Sequence, residues 1–134
     1  MSIIDKLNTT LSKIKDKCSI FQSQDQLIQY LDKYKEDSDL LLVKDLLIQL
    51  NYENIKGKSN LIKDTISVSI AEDEITYHNI LDDSPYYSMG IFYMPKGTMI
   101  PLHDHVNLMV FSKILFGNLE IISYDKVDAK DKNM

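Results

Sequence analysis

The spacing of apolar residues changes once along the chain, and that change limits the folds open to it. Up to about residue 52, apolar side chains recur every three or four residues, as in helices that bury one face. From residue 65, in the run DTISVSIA, apolar and polar residues alternate, as in a half-buried strand. The sequence therefore predicts an α+β protein with its helices first and its strands afterwards.

Three helices are expected in the first part of the chain. The first covers residues 2–18. The second begins near Ser23, whose hydroxyl is suited to cap a helix together with Gln26 three residues later. The third runs from about Ser38 to Tyr52. We interpret residues 1–56 as an N-terminal helical region.

Residues 57–134 have strand-like spacing and are expected to form about six strands. Turn residues at positions 82–85 separate two of them, and the last is Leu119–Tyr124. The chain after Tyr124 is polar and offers no further buried strand. The predicted fold is thus α+β and mostly β, with a helical cap before the strands.

The segment from Gly97 to Gly117 contains the candidate chemistry. His103 and His105 are separated by one residue, and in a strand such residues point to the same face, about 6.5–7 Å apart. Two imidazoles so placed can bind one metal ion, each through a nitrogen at about 2.0–2.2 Å. The alternative is a pair of half-exposed histidines with no ligand.

The glycines around this pair match the cupin metal motif, G-x5-H-x-H-x3–4-E-x6-G. Gly97 and Gly117 occupy its two ends, and the glutamate position holds Val110. The wider segment, IFYMPKGTMIPLHDH followed by VFSKILFGNLEIISYD, resembles the thiol dioxygenases of the cysteamine dioxygenase and plant cysteine oxidase family. The resemblance covers about residues 75–127 and departs at 106–108, where that family usually has Pro-Gly-Met.

This resemblance implies an incomplete cupin, a jelly-roll-like β-barrel, over residues 57–134. It implies a non-haem Fe(II) dioxygenase in which His103 and His105 bind the iron with a third histidine from a later strand. The expected reaction oxidises the thiol of cysteamine, or of an N-terminal cysteine, to a sulfinic acid with O2. Because Val110 replaces the carboxylate, such a site keeps the full charge of Fe(II), which favours a bound thiolate.

No histidine follows His105 in the sequence. With the third ligand missing and about six strands in place of about eight, we expect a truncated gene model or a degenerate copy. His78 precedes the motif, where the resembled family has a strand but no ligand. Other expectations concern side-chain direction. Tyr93, Phe111 and Phe116 are expected in the barrel core, with the lining of the substrate cavity as the alternative, and Asp104 and Lys113 are expected to face outward.

Composition excludes several classes of partner. The net charge is −5 and no basic patch is present, which argues against nucleic-acid binding. The longest aliphatic run, Leu40–Val43, is too short to cross a membrane, and the N-terminus lacks a signal-peptide core. Cys18 is the single cysteine, expected to be a packing residue, and indicates a reducing compartment: the cytoplasm, with the nucleus as a second location.

Two further functions stay open at this point. One is a catalytically inactive, truncated cupin that acts as a binding or interaction module. The other is a different small metallo-cupin, such as an isomerase, although the empty glutamate position speaks against it. For the dioxygenase, the absence of arginine disfavours free cysteine as substrate, since no guanidinium is available to bind its carboxylate.

Overall fold

The computed structural model describes residues 1–56, 74–105 and 108–124. Its helical elements come first and a β-hairpin follows. They are α1 (Ile3–Cys18), α2 (Gln24–Asp32), a 3-10 helix (Tyr34–Glu36), α3 (Ser38–Gln49), α4 (Tyr52–Lys56), β1 (Thr76–Asp83) and β2 (Tyr87–Tyr93). The predicted order of helices and then strands is confirmed.

Side-chain caps determine where the helices begin. The Ser23 side chain accepts a hydrogen bond from the backbone N–H of Gln26 at the start of α2, so the predicted cap is confirmed. The Gln26 side chain accepts from the backbone N–H of Gln22, not from Ser23. Asp37 caps α3 by accepting from two backbone N–H groups. The third predicted helix is divided in the structure. α3 ends at Gln49, the backbone is extended at Leu50, and a separate helix, α4, begins at Tyr52.

The hydrophobic core lies mainly between helices. One cluster joins α1 to α3; its buried members are Leu7, Ile14, Leu40, Val43 and Leu46. A second cluster consists of Ile4, Leu50 and Ile55, and the hairpin residues Ile80, Leu81 and Ile91 pack against it. The helical region therefore carries its own core and also supports the hairpin.

The hairpin is antiparallel, with Thr76 opposite Tyr93 and Asp83 opposite Tyr87, and its register shifts once between Asn79 and Leu81. Polar contacts attach it to α1. Lys15 Nζ lies 2.8 Å from an Asp83 carboxylate oxygen, and the Tyr87 hydroxyl donates to Asn8 Oδ1 over 2.8 Å. These contacts fix the hairpin on the first helix.

The expectation of a mostly β protein is wrong for the described residues, in which helices cover more of the chain than strands. β1 and β2 are the strands found there, and Leu119–Tyr124 is not a strand. An extended segment becomes a strand only when its backbone pairs with a neighbour, and alternation in sequence does not supply that neighbour. The strand predicted in the run DTISVSIA lies outside the described residues. In the described part of the chain, no helix has the length and apolar character needed to span a membrane.

Candidate metal centre

His103 and His105 come together in the structure. Their Nε2 atoms lie 3.0 Å apart, and their ring centroids are 4.6 Å apart at an interplanar angle of 83°. Both side chains are exposed to solvent. The residues around them, 101–105, belong to no strand, so the convergence of the rings comes from the local chain path.

The chain before the pair turns sharply. Gly97 has a φ of +85°, a conformation that L side chains rarely adopt. The next residue, Thr98, donates from its backbone N–H and from its hydroxyl to the carbonyl oxygen of Pro95. This turn directs the chain into residues 99–105.

The backbone also determines which nitrogen of His103 carries a proton. Nδ1 of His103 lies 2.9 Å from the carbonyl oxygen of Pro101. A carbonyl oxygen only accepts hydrogen bonds, so Nδ1 is the donor and Nε2 of the neutral ring is left with its lone pair. Metal-binding histidines commonly have this arrangement, in which the second ring nitrogen is held by a backbone carbonyl.

The separation of the two Nε2 atoms fits a shared metal ion. Two nitrogens each about 2.1 Å from one ion, at an angle of about 90° to each other, are about 3.0 Å apart. The measured separation is 3.0 Å, which is also a hydrogen-bond distance: with Nε2 of His103 as the acceptor, Nε2 of His105 is the donor. His105 would move that proton to Nδ1 to bind an ion. His103 and His105 are thus able to occupy neighbouring positions on one ion without moving apart.

Other candidate ligands do not join them. Among the described residues, no group of three His, Cys, Asp or Glu side chains is placed to hold a metal. His78 lies on β1 opposite Ile91. Val110, at the glutamate position of the motif, has no ligand atom in its side chain, which is 51% exposed. The described part of the site therefore offers two imidazole nitrogens as ligands.

Several contacts of the following segment were not predicted from the sequence. Phe111 packs against Tyr34, with ring centroids 6.3 Å apart, and Phe116 packs against Tyr52 at 6.1 Å. Both aromatic rings therefore contact the helical region. The Lys113 side chain is exposed, in keeping with the expectation that it faces outward, and its ammonium donates to backbone carbonyls at the end of α3. The apolar residues around Phe111 predicted that its side chain is buried. They did not predict which surface that side chain packs against.

Cys18 is half-buried against the first core cluster. Burial raises the pKa of its thiol, and the nearby Asp37 carboxylate adds to this effect. The thiolate is therefore disfavoured at neutral pH, in keeping with the packing role predicted from the sequence.

Comparison with known proteins identifies related enzymes. Plant cysteine oxidase 1 of Arabidopsis thaliana is 49% identical over 53 residues, 40% of this chain and 18% of that protein. The 2-aminoethanethiol dioxygenase of Homo sapiens is 40% identical over 55 residues, 41% of this chain and 20% of that protein. The Mus musculus enzyme of the same name is 31% identical over 92 residues, 68% of this chain and 35% of that protein.

The alignments with these three curated relatives thus span at most 35% of the relatives' length. No solved structure matches the chain. The family model PCO_ADO matches residues 18–134, which is most of the sequence and includes both histidines. The chain therefore belongs to the PCO_ADO family, that of the cysteamine dioxygenases and plant cysteine oxidases.

Proposed function

We propose that this chain contributes two histidine ligands to a non-haem Fe(II) thiol dioxygenase. The substrate is an aminothiol such as cysteamine, or a peptide with an N-terminal cysteine, and O2 is the co-substrate. The observation that carries the proposal is the 3.0 Å separation of the His103 and His105 Nε2 atoms. Membership of a family whose relatives are named as thiol dioxygenases and cysteine oxidases supports it.

Iron would supply the redox chemistry by which the two oxygen atoms of O2 are added to the sulfur of a thiol, giving a sulfinic acid. The residues of the chain would supply geometry and charge. His103 would be held in its ligating tautomer by the Pro101 carbonyl. Both ligands are neutral imidazoles, and Val110 adds no carboxylate, so the positive charge of the ion is left to attract a thiolate.

The absence of arginine in the chain supports cysteamine or an N-terminal cysteine over free cysteine as the substrate. Free cysteine carries a carboxylate, which guanidinium groups bind in a bidentate manner. Cysteamine has no carboxylate, and that of an N-terminal cysteine is part of a peptide bond. Neither substrate needs the missing group.

We also propose that residues 57–134 form part of a cupin barrel that follows the helical region at 1–56. Side chains of residues 108–111 alternate between exposed and half-buried positions, which is the pattern of a strand with one covered face. The use of a single cysteine supports a reducing compartment, and we propose the cytoplasm or nucleus on that ground.

Oxygen uptake tests this function. The full chain is loaded with Fe(II) without air and then given O2 with cysteamine, with a peptide that starts with cysteine, or with free cysteine. We expect O2 uptake and a product about 32 Da heavier than the thiol, the mass of the two oxygen atoms added, with the first two substrates and little with the third. A peptide that starts with serine is the matched control. Iron binding without O2 uptake on any thiol contradicts the proposal.

A second function is a binding module without catalysis. The observation that favours it is the exposure of large apolar side chains such as Leu102 (77%) and Leu108 (63%), since exposed apolar surface is typical of interaction sites. A chain that binds neither iron nor thiol but associates with a protein partner would favour this second function.

A further inference from the structure

The segment that follows the histidines has two different apolar faces. Met109, Phe111 and Leu115 are half-buried and pack against the two core clusters. The alternate residues Leu108, Val110 and Ile114 are 63%, 51% and 48% exposed. Residues 108–115 therefore lie on the helical region by one face only.

The amount of buried apolar surface alone does not determine which of the two faces of residues 108–115 packs against the helical region. The side chains of residues 108–111 alternate between exposed and half-buried, and where side chains alternate in this way a shift of one residue exchanges the two faces. Here the exchange would replace one set of large apolar side chains by another, at little cost in buried apolar area. The hydrophobic pattern thus leaves the register of this segment weakly determined.

Lys113 distinguishes the two faces. It is two residues from both Phe111 and Leu115, and although its side chain is exposed, its ammonium donates to the carbonyl oxygens of Ile48 and Leu50. Those carbonyls are at the C-terminal end of α3, where a helix carries partial negative charge and has unpaired acceptors. The carbonyls at the end of α3 are therefore favourable partners for the Lys113 ammonium.

The shifted registers lose this contact. A shift of one residue puts Ser112 on the helix-facing side, and its hydroxyl is far shorter than a lysine side chain. A shift of two residues puts Lys113 in the place of Phe111 or Leu115, against apolar side chains, where an unpaired cation is unfavourable. α3 itself is a fixed reference, because Leu40, Val43 and Leu46 hold it in the core.

We propose that Lys113 is a positioning residue that fixes the register of residues 108–115 on the helical region. The backbone N–H of Leu108 donates to the carbonyl oxygen of His105, so the register of this segment also affects where the chain leaves the pair of His103 and His105. A shift of one residue displaces an extended chain by about 3.3 Å, whereas metal–ligand distances tolerate about 0.2 Å. The part of this inference that concerns the metal rests on the proposed function; the part that concerns register does not.

Cysteine labelling tests the register directly. In a Cys18→Ala background, single cysteines replace Met109, which faces the helices, and Val110, which faces solvent. With Lys113 present, we expect the cysteine at 110 to react at least about fivefold faster with a thiol reagent, because protection follows burial. In Lys113→Met, which keeps the aliphatic stem, we expect the two rates to come within about twofold of each other.

Two variants control this comparison. Lys113→Arg keeps the charge and the donors, so the difference in rates should return. Lys44→Met removes a lysine from the same groove on α3 and should leave the difference intact. Circular dichroism checks that each variant keeps its helices. Unequal rates that persist in folded Lys113→Met, or that are lost in folded Lys113→Arg as well, overturn the proposal.

A distance measurement then tests the effect on the histidines. Cu(II) is bound at the pair and a nitroxide is attached to a cysteine that replaces exposed Asp45 on α3, in the same Cys18→Ala background. Electron paramagnetic resonance should give one narrow distance when Lys113 is present and in Lys113→Arg. In Lys113→Met the distance should be broadened or displaced by about 3 Å. An unchanged distance in Lys113→Met overturns the positioning role. Failure of Cu(II) to bind the pair contradicts the proposed function, while the labelling rates still decide the register.

Discussion

The Nε2 atom of His103 lies 3.0 Å from that of His105, although neither residue belongs to a strand. The i, i+2 spacing of a strand is therefore not what brings the rings together. The turn at Gly97 and the contact between Pro101 and His103 define the local path. Predictions about the site therefore concern the residues that define this local path, such as Gly97 and Pro101, as well as the two histidines.

The first prediction concerns Asp37, which caps α3 and also pairs with Lys17 over 3.1 Å. Asp37→Ala removes the cap and should lower the free energy of unfolding by about 1 kcal/mol. Asp37→Asn keeps an oxygen that accepts from the same N–H groups and should cost less. Urea denaturation at pH 7 measures both variants. Equal losses in the two variants would contradict the capping role.

The same residue predicts a pH dependence. Burial acts to raise the pKa of the Asp37 carboxyl, but the hydrogen bond from Leu40 N–H and the contacts with Lys17 outweigh it, so the pKa is lowered. A carboxyl whose pKa is lower when folded contributes stability above its unfolded pKa of about 3.9, and loses it as the pH falls through the folded pKa. Between about pH 5 and about pH 3, the wild type should therefore lose more stability than Asp37→Asn. Parallel curves for the two proteins would show that this carboxyl is not involved.

A third prediction concerns Gly97, whose φ is +85°. A Cβ added there meets no atom within 4 Å, so any cost of Gly97→Ala is conformational and should be about 1–2 kcal/mol. Gly97→Asn should cost less, because asparagine tolerates this conformation. Thermal unfolding of the two variants provides the measurement. A loss in Gly97→Asn as large as that in Gly97→Ala would contradict the conformational explanation.

A fourth prediction concerns Val110, which occupies the glutamate position of the motif. Val110→Glu should complete a set of two histidines and one carboxylate, a common ligand set for non-haem Fe(II), and should tighten metal binding about tenfold or more. Val110→Gln, of similar shape but neutral, is the control. Titration with Co(II), followed by absorption, measures the affinity. Equal affinity in the two variants would place residue 110 away from the metal.

The sequence predicted the features that depend on neighbouring residues. The Ser23 cap and the helix that covers Ile3–Cys18 follow from local spacing and are confirmed. The turn predicted at residues 82–85 does separate two strands, but β1 extends through Asp83, so the turn lies at 84–86. The family was also predicted, from the segment around the two histidines, and is confirmed by the match over residues 18–134.

The remaining features depend on contacts between distant residues. Lys113 reaches carbonyls 63 and 65 residues earlier in the chain, and no spacing rule connects them. Leu119–Tyr124 has the composition of a strand but is exposed and unpaired among the described residues. Whether an apolar segment becomes a strand depends on its partner, which the segment itself does not encode. The roles of His103 and His105 as ligands stay predictions.

Iron content tests the central claim most directly. Wild-type chain, His103→Ala, His105→Ala and His78→Ala are each loaded with Fe(II) without air, freed of excess metal and analysed for iron. We predict about one iron per chain in the wild type and in His78→Ala, and a loss in the other two variants, because removal of one ligand leaves a single imidazole. Iron content that is unchanged in His103→Ala or His105→Ala, or absent from the wild type, would contradict the proposed metal centre.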